Sequence, residues 1–72
     1  QIEEIREYFN IYPNPSSHTI YVKNKKQEKI FIYNSLGELV FNTKEEYINV
    51  EEFPVGIYVI KKGKETSQFI KK

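Results

Sequence analysis

Short runs of β-branched and aromatic residues recur along this chain at nearly even spacing, and turn-forming residues separate them. Runs that repeat about every 8–12 residues are typical of an all-β sandwich or barrel. Beyond residue 10, no long segment keeps the 3.6-residue period of an amphipathic helix. The pattern therefore predicts seven short strands, at residues 8–12, 19–23, 29–33, 38–42, 47–50, 57–60 and 66–71.

Two of these runs are apolar on both faces, which indicates their place in the fold. Residues 29–33 read Lys-Ile-Phe-Ile-Tyr and residues 57–60 read Ile-Tyr-Val-Ile, so both are predicted to lie in the middle of a sheet. The side chains expected to be buried there are Ile30, Ile32, Tyr58 and Ile60. The runs at 19–23 and 47–50 have one polar face and are expected to be more exposed. The predicted fold is a small, seven-stranded, antiparallel, immunoglobulin-like β-sandwich.

The length of 72 residues allows one domain, and a domain this small has little apolar surface to bury. Because the chain has no cysteine, no disulfide can reinforce it. The eleven Phe and Tyr residues are therefore the expected source of its stability. The chain also has no methionine, which indicates that it is a piece of a longer protein.

Charge and composition disfavour several function classes. The net charge of +1 is too balanced for nucleic-acid binding to be the default. No aspartate is present, so the Asp-rich calcium loop is absent. No apolar run approaches the ~20 residues of a membrane-spanning helix. We expect a monomer without a cofactor or a metal.

The residues from which a catalytic site is usually built are sparse. His18 is the only histidine, and no aspartate exists to complete a Ser-His-Asp triad. The adjacent glutamates at 45–46 and 51–52 point to opposite faces of a strand, so neither pair is placed to converge as glycosidase carboxylates are. We therefore expect no enzymatic activity, and a solvated turn residue at His18.

Several residues have a structural and a functional interpretation. Pro13 and Pro15 end the first strand without offering it a donor, or they form a rigid corner that a partner recognises. Gly37 and Gly56 are interpreted as turn glycines, Gly56 at a place where a side chain would clash with the facing sheet. Tyr58 is expected to be a core aromatic whose hydroxyl donates to a backbone carbonyl.

The lysines fall into two groups along the sequence. One comprises positions 23, 25, 26 and 29, and the other comprises positions 61, 62, 64, 71 and 72. These groups either solvate the sheet edges against aggregation or dock the domain onto an acidic protein surface or anionic lipid head groups. The sequence leaves both interpretations open.

Four blocks of this chain, taken in order, carry a resemblance to a known family. The first is Tyr12-Pro13-Asn14-Pro15, and the second spans 30–40. The third is the Gly-aliphatic-Tyr strand at 55–60, and the fourth is the lysine-rich end at 68–72. Together they resemble the C-terminal sorting domain of proteins exported by the type IX (Por) secretion system. Asn34 stands in place of that family's frequent Asp and keeps its turn role.

The resemblance implies a secretion signal that performs no chemistry. Residues 1–10 would be a linker or strand entry from an upstream cargo domain, and residues 11–72 would be the sorting domain. Its partners would be the outer-membrane translocon and a sortase-type peptidase, and the cargo would pass the periplasm and end secreted or on the cell surface of a Gram-negative bacterium. The residues to which recognition is assigned are Pro13, Asn14, Pro15, Gly37, Gly56, Tyr58, Lys71 and Lys72. The alternative is a fibronectin-like or immunoglobulin-like adhesion or carbohydrate-binding module.

Overall fold

The computed structural model of this chain describes residues 11–72, and within that range it is all-β without a helix. The predicted run at 8–12 therefore lies partly outside the described residues, and each of the other six runs corresponds to a strand. The strands are β1 (Ile11–Tyr12), β2 (Thr19–Val22), β3 (Ile30–Tyr33), β4 (Leu39–Thr43), β5 (Tyr47–Asn49), β6 (Gly56–Lys62) and β7 (Glu65–Lys71).

The strands form two sheets, of order β1-β2-β5 and β4-β3-β6-β7, in which all neighbours are antiparallel. The predicted antiparallel sandwich is thus confirmed. β3 and β6 both lie in the middle of the larger sheet, as their apolar faces predicted. β2 is more enclosed than its one polar face suggested, because it is the central strand of the smaller sheet.

The core lies between the inward faces of the two sheets. Ile30, Ile32 and Ile60 are fully buried, and Tyr58 is 4% exposed, as predicted. Fully burying one large apolar side chain contributes about 1.5–3 kcal/mol. The remaining core residues are Ile11, Ile20, Val22, Ile48, Val50 and Phe69.

Strand register places the connecting loops at two opposite ends of the sandwich. Tyr33 pairs with Val59 and Gly56 pairs with Lys71, so the loop after β3, the loop before β6 and the end of β7 lie together. We call this the proline end, and it comprises residues 13–16, 34–37, 54–56 and 71–72. At the other end Ile30 pairs with both Thr43 and Lys62. We call this the lysine end, and it comprises residues 23–29, 44–46 and 62–65.

Candidate recognition site

The side chain of Asn14 is hydrogen-bonded to the outer edge of β7. Its amide nitrogen donates to the carbonyl oxygen of Gln68 at 3.2 Å, and its Oδ1 accepts from the backbone N–H of Ile70 at 3.0 Å. A carboxamide carries the same donor and acceptor pair as a peptide group. Asn14 therefore occupies the position that a neighbouring strand would take on this sheet edge.

Ser16 continues the same pairing through its backbone. Its N–H donates to the carbonyl oxygen of Ile70 at 2.9 Å, and its carbonyl oxygen accepts from the N–H of Lys72 at 2.8 Å. Ser16 and Lys71 form an isolated parallel bridge, and the Ser16 hydroxyl donates to the carbonyl oxygen of Thr19 at 3.2 Å. Residues 14–16, which we call the strap, thus cover the C-terminal half of an edge that would otherwise be open to other chains.

The two prolines flank Asn14 and are exposed. The peptide bonds that precede Pro13 and Pro15 are both cis. Neither residue has an N–H to pair, so the hydrogen bonds of this corner come from Asn14 and Ser16. The corner therefore ends β1 and also holds β7 in place through the hydrogen bonds of Asn14 and Ser16.

Gly56 lies opposite Lys71 in the β6–β7 pair, so it adjoins the strapped end of β7. A Cβ added at Gly56 would meet no atom within 4 Å. The predicted clash with the facing sheet is therefore wrong. Glycine is required for its backbone instead, because φ is +154°, a value that other residues rarely adopt.

Tyr58 connects the loop before β6 to the core. Its hydroxyl donates to the carbonyl oxygen of Pro54 at 2.5 Å, which confirms the predicted backbone acceptor. Its ring is stacked on Phe69 at 5.3 Å and contacts Phe53 at 5.2 Å. Burial raises the pKa of the Tyr58 hydroxyl. The hydrogen bond and the ring contacts of Tyr58 together hold the loop that carries Gly56 against the core.

The turn between β3 and β4 is organised by Asn34. Its Oδ1 accepts from the N–H groups of Leu36 at 3.0 Å and Glu38 at 2.9 Å, so it has the turn role expected of the family's Asp. Gly37 has a φ of +83°, which confirms it as a turn glycine. Between this turn and residues 54–58 lies an open groove of about 240 Å³. Its apolar wall carries the exposed side chains of Leu36, Val55 and Ile57.

The lysine grouping read from the sequence is wrong in one respect. Lys71 and Lys72 lie at the proline end, whereas Lys62 and Lys64 lie at the lysine end with Lys23. Lys71 is also buried, with its ammonium group donating to the carbonyl oxygen of Lys72 at 3.1 Å. Of the two C-terminal lysines, only Lys72 offers an exposed charge.

The structure brings the residues assigned to recognition to one end of the domain. Six of them meet around the end of β7: Pro13, Asn14, Pro15, Gly56, Lys71 and Lys72. Gly37 and Tyr58 flank the groove beside them. Sequence reasoning missed Ser16 and the strap as a whole. Its one signal is an amide side chain between two prolines, which supplies hydrogen-bonding groups where the prolines have no donor.

His18 is largely exposed, and its Nε2 lies 3.9 Å from a carboxylate oxygen of Glu51. Among residues 11–72, no three His, Asp or Glu side chains are grouped as metal ligands. The same part of the chain has no helix with the length and apolar character needed to cross a membrane.

Comparison with known protein families identifies a match over most of the chain. The model of the family described as "Secretion system C-terminal sorting domain" matches residues 10–72. No curated protein and no solved structure matches the chain.

Proposed function

Because the chain belongs to the family of secretion system C-terminal sorting domains, we propose that it directs a cargo protein through the type IX secretion system and across the outer membrane. The family supports a role as a secretion signal for a secreted or cell-surface cargo. The finer steps proposed are passage through the periplasm, docking on the outer-membrane translocon and removal of the domain by a sortase-type peptidase. Cleavage would fall in or near residues 1–10, and the cargo would be released or joined to an anionic lipopolysaccharide.

The observation that carries this proposal is the strap. Asn14 and Ser16 hold the last strand by its edge, so the first and last blocks of the motif form one structural unit. The signal is then a folded surface, and a partner reads it only when both ends of the domain are in place. No residue of this surface needs to perform chemistry.

The groove beside the strap supplies the contact area. Leu36 and Val55 are 81% and 76% exposed, and Ile57 beside them is also exposed, so three aliphatic side chains form one exposed patch along the groove. Exposed apolar side chains that adjoin one another mark sites where proteins bind each other. We assign the translocon contact to this groove together with Pro13 and Pro15, and the backbone N–H of Lys72 helps to hold the strap beside them.

A reporter experiment tests the assignment. The domain is fused behind a signal peptide and an unrelated folded reporter in a host with the type IX system, and the exported fraction is measured. Leu36→Ser with Val55→Ser should leave the reporter in the periplasm, because the groove loses its apolar wall. Tyr47→Ser, a change at an exposed side chain on β5 outside the groove, should export normally. Normal export of the groove variant, with the domain shown to be folded by circular dichroism, would refute the assignment.

One observation favours the carbohydrate-binding alternative. Tyr12, Tyr21 and Tyr47 pair in register across β1, β2 and β5, and the rings of Tyr21 and Tyr47 are 5.1 Å apart. Tyr12 and Tyr47 are exposed and Tyr21 between them is half-buried, so the row offers flat apolar faces with polar tips, which suits stacking against sugar rings. Titration of oligosaccharides with tyrosine fluorescence as the readout separates the two functions, since an export signal needs no such binding.

A further inference from the structure

The loop after β2 and the β6–β7 hairpin meet at the lysine end, although about forty residues separate them in sequence. The ammonium group of Lys62 donates to the carbonyl oxygen of Lys23 at 2.6 Å, which ties the hairpin to the loop. The carboxylate of Glu28 lies over Gly63, so near that an added Cβ would stand 2.9 Å from it. Between the two segments is an open cleft of about 540 Å³, within the size range of small-ligand sites.

The cleft carries an excess of positive charge. Five lysines and two glutamates line it. Glu65 lies 3.3 Å from the ammonium group of Lys62, so these two charges largely compensate each other. Lys23, Lys25, Lys26 and Lys64 are exposed and make no side-chain hydrogen bond or ion pair within residues 11–72.

The wider surface has the same sign. The lysine end holds seven of the ten lysines of the chain, at positions 23, 25, 26, 29, 44, 62 and 64. It holds four of the ten glutamates, at positions 28, 45, 46 and 65. The whole chain has a net charge of only +1, so this accumulation is local. Like charges held together repel each other, and an anionic ligand relieves that repulsion.

The loop that carries Lys25 and Lys26 is rigidly built. Asn24 is 2% exposed, and its side-chain amide donates to the carbonyl oxygens of Glu28 at 2.8 Å and Lys44 at 2.9 Å. Its Oδ1 accepts from the N–H of Glu28 at 3.0 Å, and its own N–H donates to the Glu46 carboxylate at 2.7 Å. All the hydrogen-bonding groups of this buried side chain are used to fix the loop.

A second sign of a constrained loop is Gln27, whose φ is +57°. A residue other than glycine in the left-handed region costs on the order of 1 kcal/mol or more, and persists where the surroundings enforce it. Gln27 closes the turn with an N–H donated to the carbonyl oxygen of Asn24 at 3.1 Å. The backbone that carries Lys25 and Lys26 is thus held in one conformation at the tip of this turn.

We propose that the cleft between residues 23–28 and 62–65 binds a phosphate-bearing anion. Lysine ammonium groups are common ligands of phosphate, and a cluster of four to eight near a membrane surface binds anionic head groups. The phosphate belongs either to a lipid head group or to a soluble compound. This site lies at the opposite end of the domain from the strap and the groove, so it is independent of the export surface.

The test uses the 72-residue chain with two probes. Flotation with vesicles of phosphatidylcholine, with and without phosphatidylglycerol, measures binding to lipid phosphate, and calorimetry with glycerol phosphate measures binding to soluble phosphate. Binding to the anionic vesicles alone assigns the site to a membrane surface. Binding to glycerol phosphate assigns it to a soluble ligand. Binding to neither overturns the proposal.

Two double variants of equal net charge separate a site from general attraction. Lys25→Gln with Lys26→Gln should weaken binding about tenfold or more, since each lysine near an anionic surface contributes roughly a factor of five. Lys61→Gln with Lys72→Gln removes the same charge elsewhere and should leave binding within about twofold of the parent. Equal weakening by both variants would overturn the site. All four side chains are exposed, so thermal unfolding should show both variants folded.

Discussion

Asn14 and Ile70 lie 56 positions apart in the sequence, and the N–H of Ile70 donates to the Oδ1 of Asn14 at 3.0 Å. This bond joins the proline corner to the final strand. The same side chain also donates to the carbonyl oxygen of Gln68. Asn14 therefore makes two of the hydrogen bonds that a neighbouring strand would make to β7. The consequence is that the N-terminal and C-terminal motif blocks are folded or lost together.

The first prediction concerns that residue. Asn14→Ala should lower the free energy of unfolding by about 1–3 kcal/mol, since it removes two hydrogen bonds worth about 0.5–1.5 kcal/mol each. Urea denaturation measures the change. Asn42→Ala is the matched control, because Asn42 is exposed on β4 and its side chain makes no hydrogen bond within residues 11–72. It should change stability by less than about 0.5 kcal/mol. An equal loss of unfolding free energy in both variants would contradict the stabilising role assigned to Asn14.

The second prediction concerns Gly56. Both Gly56→Ala and Gly56→Val should destabilise the domain by about 1–3 kcal/mol, because the strain arises from φ and not from a contact. The two losses should therefore be similar, whereas a steric clash would make valine much worse. Gly37→Asn serves as the comparison, since asparagine tolerates the φ of +83° found there. It should cost less than either change at Gly56, as thermal unfolding would show.

The third prediction concerns the Tyr58 hydroxyl. Tyr58→Phe keeps the stacking on Phe69 and loses the hydrogen bond to the carbonyl oxygen of Pro54. We expect the free energy of unfolding to fall by about 1 kcal/mol. Relative to the parent, hydrogen exchange should accelerate more at the amides of residues 55 and 56 than at the other amides of β6. An unchanged exchange rate there would show that the hydroxyl does not hold the loop.

The fourth prediction concerns alkaline pH. Burial first, and then Glu46, Tyr47 and Tyr12, raise the pKa of Tyr21 above its usual value of 10.0. A hydroxyl whose pKa is raised by folding contributes stability that is complete below pH ~10 and is lost as the pH rises through the folded-state value. The urea midpoint should therefore fall above pH ~10, and Tyr21→Phe should make that fall less steep. If the urea midpoint of the variant has the same pH profile as that of the parent, Tyr21 is not a source of the loss of stability above pH ~10.

Much of the fold is predictable from sequence because two-residue alternation and turn residues are local signals. The turn at Asn34 and Gly37 and the burial of Ile30 and Ile32 follow from such patterns alone. The strap does not, because its hydrogen bonds join residues 54 and 56 positions apart through a side chain. The lysine end is unpredictable for a similar reason, since register decides which loops meet. At Gly56 the sequence indicated the need for glycine, and the structure assigns that need to a φ of +154° and not to a clash with the facing sheet.

The fifth prediction concerns export and separates the strap from charge. Lys72→Pro deletes the N–H that donates to the carbonyl oxygen of Ser16, and Lys72→Gln removes the same charge while it keeps that donor. In the reporter fusion, Lys72→Pro should reduce export and Lys72→Gln should not, because the folded edge is what the partner reads. Deletion of residues 69–72 should leave the reporter in the periplasm, since it also removes the fully buried Phe69. Retention of the reporter by Lys72→Gln would show instead that the terminal charge is recognised, and normal export of the deletion would count against the sorting role.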